Sequence, residues 1–574
     1  MNGAENLLHT LVQSGVEVCF ANPGTSEMEL VSAIGNSADM RAILCLFEGV
    51  ASGAADGYGR MKEKPALTLL HLSSGFANSM ANQHNAMRAH VPVVNMVGDH
   101  ASYHLQYDSP LTADVAAHAR LPSAWVRVAQ SANDLALAGA QAVQAAMQGS
   151  GKIATFIAPA NHAWEAASEA VPPLPRPARE QVAREIINDT LTLLHNGKST
   201  TLFLGGHALR EDSLLAAGRI AAACGIRLLC ETFPARLQRG AGRVKVERLA
   251  YFSEQAVAQL QSVEQLILVG AKAPVAFFAY PGKPSWLAPD HCTIHTLVDV
   301  DQDICSALHT LAQALGATAA PVLTAEAPAM PAPSGALTTM AIGQSVSTFM
   351  PEQAIVSDEA NTCGMTLFPL TENAPAHDWL NLTGGAIGQG LPLALGAAIA
   401  CPERKVIALQ ADGSALYTLQ ALWTMAREQT DVTVVLLNNR SYAILNVELA
   451  RVGAGLGNAK TLSMLSLSQP DINWVELSTG MGVAATRACS AEEFHAQFAD
   501  AMASKGPRLI EAMVVQQMPD ELLRHPGLRA VIPTPGSHPG HRAGIHRDDG
   551  NNCGSRIKSR GWMSNLSATQ PAQG

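Results

Sequence analysis

Charge is sparse in this chain. Charged residues make up 15% of its 574 positions, and the balance is acidic, at −10. With no basic excess, a nucleic-acid or anionic-membrane partner is not expected. Aromatic residues are also few, at 5%, but 48% of the chain is hydrophobic, so large cores can form. The ten cysteines are scattered and no CxxC pair occurs among them. That excludes a zinc ribbon and gives no sign of a disulfide framework. No apolar run reaches the roughly 18 residues that a membrane span needs. The opening "MNGAENLLHTLVQSGV" has neither a basic n-region nor a long apolar h-region, and reads as a helix rather than a signal peptide. These absences leave a reduced, cytoplasmic enzyme as the expectation.

The length suggests three domains or more. Two proline-rich stretches, "VPPLPRPAR" and "APVLTAEAPAMPAPSG", read as solvated linkers at 171–180 and 321–335. They divide the chain into segments 1–170, 181–320 and 336–516. The tail, 517–574, is rich in Gly, Ser and Pro, and its His538, His541 and His546 lack a metal-helix spacing. It reads as disordered. Within the three segments, short apolar strands alternate with helical patterns. The strands include "VEVCFANPG", "AILCLF", "ALTLLHL" and "VPVVNMVGD", then "TTLFLGG", "IRLLCE" and "QLILVGA", then "QAIVSDE", "KVIALQADG", "VTVVLLNN" and "RLIEAMVV". This alternation predicts an α/β fold of three doubly wound parallel sheets. Ligands of such sheets sit beyond the carboxyl ends of the strands, so polar residues that end apolar strands are the ones to follow.

Asp412 is such a residue, in "LQADGSALY". A buried carboxylate is costly unless it is paired or holds a metal. After it come a predicted helix, "ALYTLQALWTMAREQ", and a strand ending at Asn438-Asn439. One strand-helix-strand crossover of this length returns the chain to a neighbouring parallel strand, so Asp412 and Asn439 should meet at one sheet edge. A carboxylate and an amide oxygen are hard ligands suited to Mg2+, and the Ser441 carbonyl is a third candidate. The helix start after Gly413-Ser414 would turn N–H groups toward phosphate oxygens. An Asp N-cap beside an unrelated Asn-rich turn is the bland alternative. A second carboxylate, Glu48, follows the strand-like "AILCLF" and opens a small-residue helix. By itself it is an ordinary helix-start acid.

Together, the D-G…N-N spacing, Glu48, "CFANPGTSEM", "FEGVASGAADGYGRM" and "GGAIGQGLP" resemble thiamine-diphosphate enzymes of the acetolactate synthase, pyruvate oxidase and benzoylformate decarboxylase family over residues 1–516. The wording is most similar to acetolactate synthase large subunits. The resemblance implies pyrimidine-binding, central Rossmann-like and diphosphate-binding domains, in that order. It implies thiamine diphosphate and Mg2+, a small 2-oxo acid substrate, and a homodimer or homotetramer whose active site is shared between chains. Glu48 would hydrogen-bond N1′ of the cofactor's aminopyrimidine. Ile387 would force the cofactor into its bent shape, and the Gly385 carbonyl would accept from the 4′-amino group. Asn361 and Thr362, in "SDEANTCG", are candidates to touch the diphosphate, although an Asx turn explains them equally well. Thr25 and His71 match a hydroxyl and a histidine of benzoylformate decarboxylase that bind the substrate carboxylate and handle protons, but a histidine after an apolar run is commonly structural.

The departures also count. The stretch comparable to that enzyme's second histidine, "APVAFFAYPGKPS", offers Phe277, Phe278 and Tyr280 instead. Where acetolactate synthases carry Phe-Gln-Glu, this chain reads "GDHASYHLQYDSPL". The family motif opens with glycine where Ala411 stands, which predicts an ordinary negative φ there. Some members hold FAD in the central domain, and "FLGGHALRE" and "LVGAKAPVAFF" are the loops it would face; a central domain without FAD is the favoured reading. "TGGAIGQGLPLALG" contains a G-x-x-G-x-G pattern, but no strand is evident just before it and no spaced acid follows, which argues against a nicotinamide oxidoreductase. The leading expectation is decarboxylation of a 2-oxo acid with carboligation. The alternatives are a simple benzoylformate-type decarboxylase and, less favoured, a noncatalytic family member.

Overall fold

The apolar strands read from the sequence assemble into three sheets. In the computed structural model, residues 1–514 are described, apart from 169–170, 329 and 455–456. The expected disordered tail therefore lies outside the described residues. Among the described residues no helix is long and apolar enough to cross a membrane.

The first sheet has six parallel strands, in the order Arg41–Leu44, Val18–Asn22, Ala66–Leu70, Val93–Asp99, Ile153–Pro159 and Trp125–Val128. The second has five, with Thr200–Leu204 and Gln265–Val269 side by side in it. The third has seven, in the order Ala484–Ala488, Arg508–Met513, Val432–Asn438, Val406–Ala411, Ile355–Glu359, His377–Asn381 and Leu237–Arg239. Each sheet has a switch point from which successive crossovers leave in opposite directions. The switch falls between Val18–Asn22 and Ala66–Leu70 in the first sheet, between Thr200–Leu204 and Gln265–Val269 in the second, and between Ile355–Glu359 and Val406–Ala411 in the third. Loops diverge at such a point and leave a crevice for a ligand.

Three features differ from the sequence reading. Strand Leu237–Arg239, from the expected central segment, pairs antiparallel with His377–Asn381 and closes the edge of the third sheet. The glycine stretch at 383–396 does follow a strand, His377–Asn381. That strand was missed because His377, Asp378 and Asn381 break its apolar pattern; all five of its residues are nonetheless buried. Finally, the helix expected after Asp412 is interrupted. Asp412–Ala415 is a four-residue turn of helix, and a second helix begins at Ala421. Within the gap, the Thr418 hydroxyl donates to the Gly388 carbonyl and ties this segment to the glycine stretch.

The first and third sheets are joined by two helices. Helix Gly390–Ala400 is buried on all sides, as an apolar helix inside a core must be. It packs on helix Glu48–Lys62, with backbones nearly touching. A Cβ on Gly57 would stand 2.1 Å from the Leu393 carbonyl oxygen, and one on Gly396 would stand 1.9 Å from that of Ala54. The small residues of both helices permit this approach. The burial of Leu391, Leu393 and Leu395 then contributes about 1.5–3 kcal/mol apiece. Beneath the pair, the Arg60 guanidinium is completely buried; it binds both oxygens of Asp56 and reaches the Asn381 and Ala235 carbonyls.

Candidate active site

A cavity of about 970 Å3 opens at the switch point of the third sheet. Asp412 stands at its floor, one residue past strand Val406–Ala411. That strand pairs with Val432–Asn438 in a register that sets Ala411 opposite Leu437, so the predicted meeting of Asp412 with Asn439 occurs. The Asp412 carboxylate accepts the N–H groups of Gly413 at 2.9 Å and Arg440 at 2.7 Å. It is 2% exposed, and burial pushes its pKa up to about 6. Among the described residues it makes no ion pair. The Asn439 side-chain oxygen accepts from the Ser441 N–H at 2.9 Å, while its amide group faces the Cys363 sulfur at 3.4 Å. Ala411 has φ −77°, the ordinary conformation expected of alanine.

Gly385, Ile387, Asn361, Thr362, Gly413, Ser414 and Ser441 line the same cavity. Gly385 has φ +74°, and a Cβ there would stand 2.7 Å from the Phe277 ring, so both backbone and space require glycine. Asn361 also lies in the left-handed region, at φ 49°, which asparagine tolerates better than most residues. Phe277 and Phe278 form part of the wall, in an edge-to-face contact with ring centroids 4.7 Å apart. At the middle sheet's switch point, by contrast, the chain closes on itself: a Cβ on Gly205 would stand 2.7 Å from the Gly270 carbonyl oxygen.

Glu48, His71 and Thr25 do not line this cavity. They lie at the strand ends of the first sheet. Glu48 is the first residue of helix Glu48–Lys62, 6% exposed, and accepts from the Asn78 amide at 3.0 Å. His71 precedes helix Leu72–Arg88. Gly75 sits between the two side chains; a Cβ on it would lie 2.9 Å from a Glu48 oxygen and 3.2 Å from the His71 Cβ. Thr25 is exposed and opens the short turn Thr25–Glu27 across the switch point from His71.

Two residues central to this geometry were missed in the sequence. Glu27, fully buried, holds His71 Nδ1 at 2.8 Å and accepts from the Gly24 N–H and the Ser26 hydroxyl, each at 2.6 Å. Glu359, also buried, accepts from the N–H groups of Gly388 at 2.6 Å and Gly390 at 2.7 Å and from the Gln410 amide at 2.9 Å. It thereby pins the glycine loop of the cavity to strand Ile355–Glu359, and burial raises its pKa. Glu359 ends an apolar strand, the same signal that exposed Asp412. Glu27 lies five residues past the end of strand Val18–Asn22, in a polar turn, and no pattern marked it.

Comparison with known proteins agrees with this layout. Residues 1–119 match the thiamine pyrophosphate enzyme N-terminal TPP binding domain, and residues 361–512 match the C-terminal TPP binding domain. The chain is 49% identical over 516 residues to the "Putative acetolactate synthase large subunit IlvX" of Mycobacterium tuberculosis, covering 90% of this chain and 99% of that one. It is 25% identical over 532 residues to the benzoylformate decarboxylase of Pseudomonas aeruginosa, covering 87% and 96%. The solved 4-hydroxybenzoylformate decarboxylase of Rhodococcus jostii RHA1 shares the fold, with TM-score 0.79 at 23% identity over 90% of this chain and all of that one. The likeness at both ends of the chain and along nearly its whole length establishes that it belongs to the thiamine pyrophosphate enzyme family.

Proposed function

We propose that this protein decarboxylates a 2-oxo acid with thiamine diphosphate and Mg2+ and joins the remaining acyl fragment to a second 2-oxo acid. The observation that carries the reading is Asp412, a carboxylate buried at an open switch point and satisfied only by backbone N–H groups. Such a group needs a cation. With the oxygens of Asn439 and Ser441 it offers the hard donor set that Mg2+ takes. The residues therefore fit the cofactor that the family implies. Asp412, Asn439 and the Ser441 carbonyl would hold the metal. Asn361, Thr362, Gly413 and Ser414 would meet the diphosphate, and Gly385 and Ile387 the aminopyrimidine and the bend. When bound, thiamine diphosphate supplies the electron sink for loss of CO2.

The pyrimidine half of the site is Glu48, with His71 and Thr25 toward the substrate. Because these residues stand apart from the cavity of their own chain, we assign them to the cavity of a second copy, in a homodimer or homotetramer. The functional division follows as a pyrimidine-binding segment 1–170, a central segment 181–320 and a diphosphate-binding segment 336–516. A reduced, cytoplasmic setting is the reading that goes with scattered cysteines and no CxxC pair.

A second reading, simple decarboxylation, is favoured by one observation. Glu27 grips His71 at Nδ1, which leaves Nε2 to exchange a proton. A histidine so held suits protonation of the product in place of carboligation. Assaying CO2 and products from pyruvate and benzoylformate, with and without thiamine diphosphate and Mg2+, separates the readings. A coupled 2-hydroxy-3-oxo acid supports the first and an aldehyde the second. No cofactor-dependent CO2 release across a 2-oxo acid panel overturns both.

A further inference from the structure

A third cluster of chemistry-bearing side chains lies on the middle layer and takes no part in the site above. Helix Ile304–Ala314 carries Cys305 and His309, and helix Glu211–Cys224 carries Asp212 in its first turn. Cys305 and His309 are four residues apart, so they share one helical face. That face is turned to the neighbouring helix. The Asp212 Oδ2 atom is the meeting point: it lies 3.0 Å from the Cys305 sulfur and 3.2 Å from His309 Nε2. One ligand atom from each of the three residues lies within 4.8 Å of the others.

We propose that Asp212, Cys305 and His309 form a binding site for a thiophilic divalent cation of the Zn2+ type. A tetrahedral zinc ion takes thiolate sulfur at about 2.3 Å and imidazole nitrogen or carboxylate oxygen at about 2.0 Å. Those bond lengths separate oxygen from sulfur by about 3.5 Å and oxygen from nitrogen by about 3.3 Å. The observed oxygen–sulfur separation of 3.0 Å is shorter than the first by about half an ångström, and the oxygen–nitrogen separation of 3.2 Å nearly equals the second, so the three side chains already converge on one point. Both helices are fixed to the same core, through Ile304, Leu308 and Leu311 on one side and Leu214, Ala217 and Ile220 on the other. Three protein ligands leave a fourth position, and the partial exposure of all three side chains opens it to water.

The donor set also separates this site from the catalytic one. Thiolate and imidazole select zinc and its softer neighbours, whereas Mg2+ prefers oxygen ligands and keeps its waters. The Mg2+ of the proposed active site would not occupy this cluster. The bland alternative is an Asp212 that merely accepts hydrogen bonds from a thiol and an imidazole.

The test uses the full chain saturated with thiamine diphosphate and Mg2+. Zn2+ is titrated by calorimetry and Co2+ by absorption, where a thiolate ligand gives a near-ultraviolet charge-transfer band. The expected result is one tight equivalent per chain, with that band. Binding should weaken at least tenfold in Cys305→Ser and in His309→Ala, and should stay unchanged in Cys292→Ser. Thermal unfolding of each variant without added metal establishes that it is folded. The proposal is overturned if the wild-type chain takes up no such equivalent, or if Cys305→Ser and His309→Ala bind as the wild type does.

Discussion

The first and third sheets place carboxylates at their switch points and satisfy them in opposite ways. Glu27 of the first sheet is fully buried and fully occupied, by the His71 ring, a backbone N–H and a hydroxyl. Asp412 of the third sheet is as deeply buried but holds only N–H groups, and burial lifts its pKa to about 6. The first arrangement is complete within one chain and orients an imidazole. The second is the one that we propose a cation completes. On that proposal, one fold uses a buried acid beside a switch point both to fix an imidazole and to load a ligand.

The comparison can be broken most severely at Glu48. Glu48→Gln is expected to lower turnover by about 10²–10⁴-fold while leaving cofactor affinity mostly intact, as loss of an acid-base group does. Full CO2 release in that variant would remove the pyrimidine half of the assignment. Asp412→Ala attacks the other half. It is expected to weaken Mg2+ and diphosphate binding by at least about tenfold, the loss of one charge-assisted contact. A cofactor titration that does not respond would refute the metal site.

Combining the two variants tests whether the halves belong to different chains. If the site is shared, co-expressing Glu48→Gln with Asp412→Ala chains yields mixed dimers with one intact site. About a quarter of wild-type activity should return under random pairing. A site built within one chain would leave the mixture inactive. A milder change, Glu27→Gln, keeps the shape but removes the charge behind His71. It is expected to cost about tenfold or more in kcat, with little change in cofactor binding.

The smallest effect on activity is expected at His377, which is buried in the third sheet. Burial, reinforced by the Arg239 charge, pushes its pKa down to about 3 and keeps the ring neutral. The folded pKa thus lies below that of the unfolded chain. Its contribution to stability is complete above about pH 6.5 and is lost as pH falls toward 3, at about 1.4 kcal/mol per pH unit. In His377→Leu the acid-side fall of the thermal midpoint should be shallower than in the wild-type chain. An identical slope would show that the ring titrates freely.

Much of this could be read from the chain because strand-end polarity is a local signal. Apolar runs such as "KVIALQADG" state both the strand and the residue that leaves it, and the span from Asp412 to Asn439 matches one crossover. Strand His377–Asn381 was hidden because its polar residues are satisfied by remote partners: Asp378 by Arg236 and Arg404, and Asn381 by the Pro234 carbonyl. Strand Leu237–Arg239 was hidden because its pairing crosses a proposed domain boundary. No local pattern encodes either arrangement.

By itself, then, the sequence determined the α/β alternation, the strand-end acids and the family, because these rest on periodicity and short motifs. Only the tertiary structure decided which acids are met by side-chain partners and which by backbone N–H groups alone. It alone separated Glu48 from the cavity of its own chain and brought Cys305 and His309 to Asp212. Satisfaction depends on what lies within hydrogen-bonding reach in space, and the partners involved are supplied by distant parts of the chain.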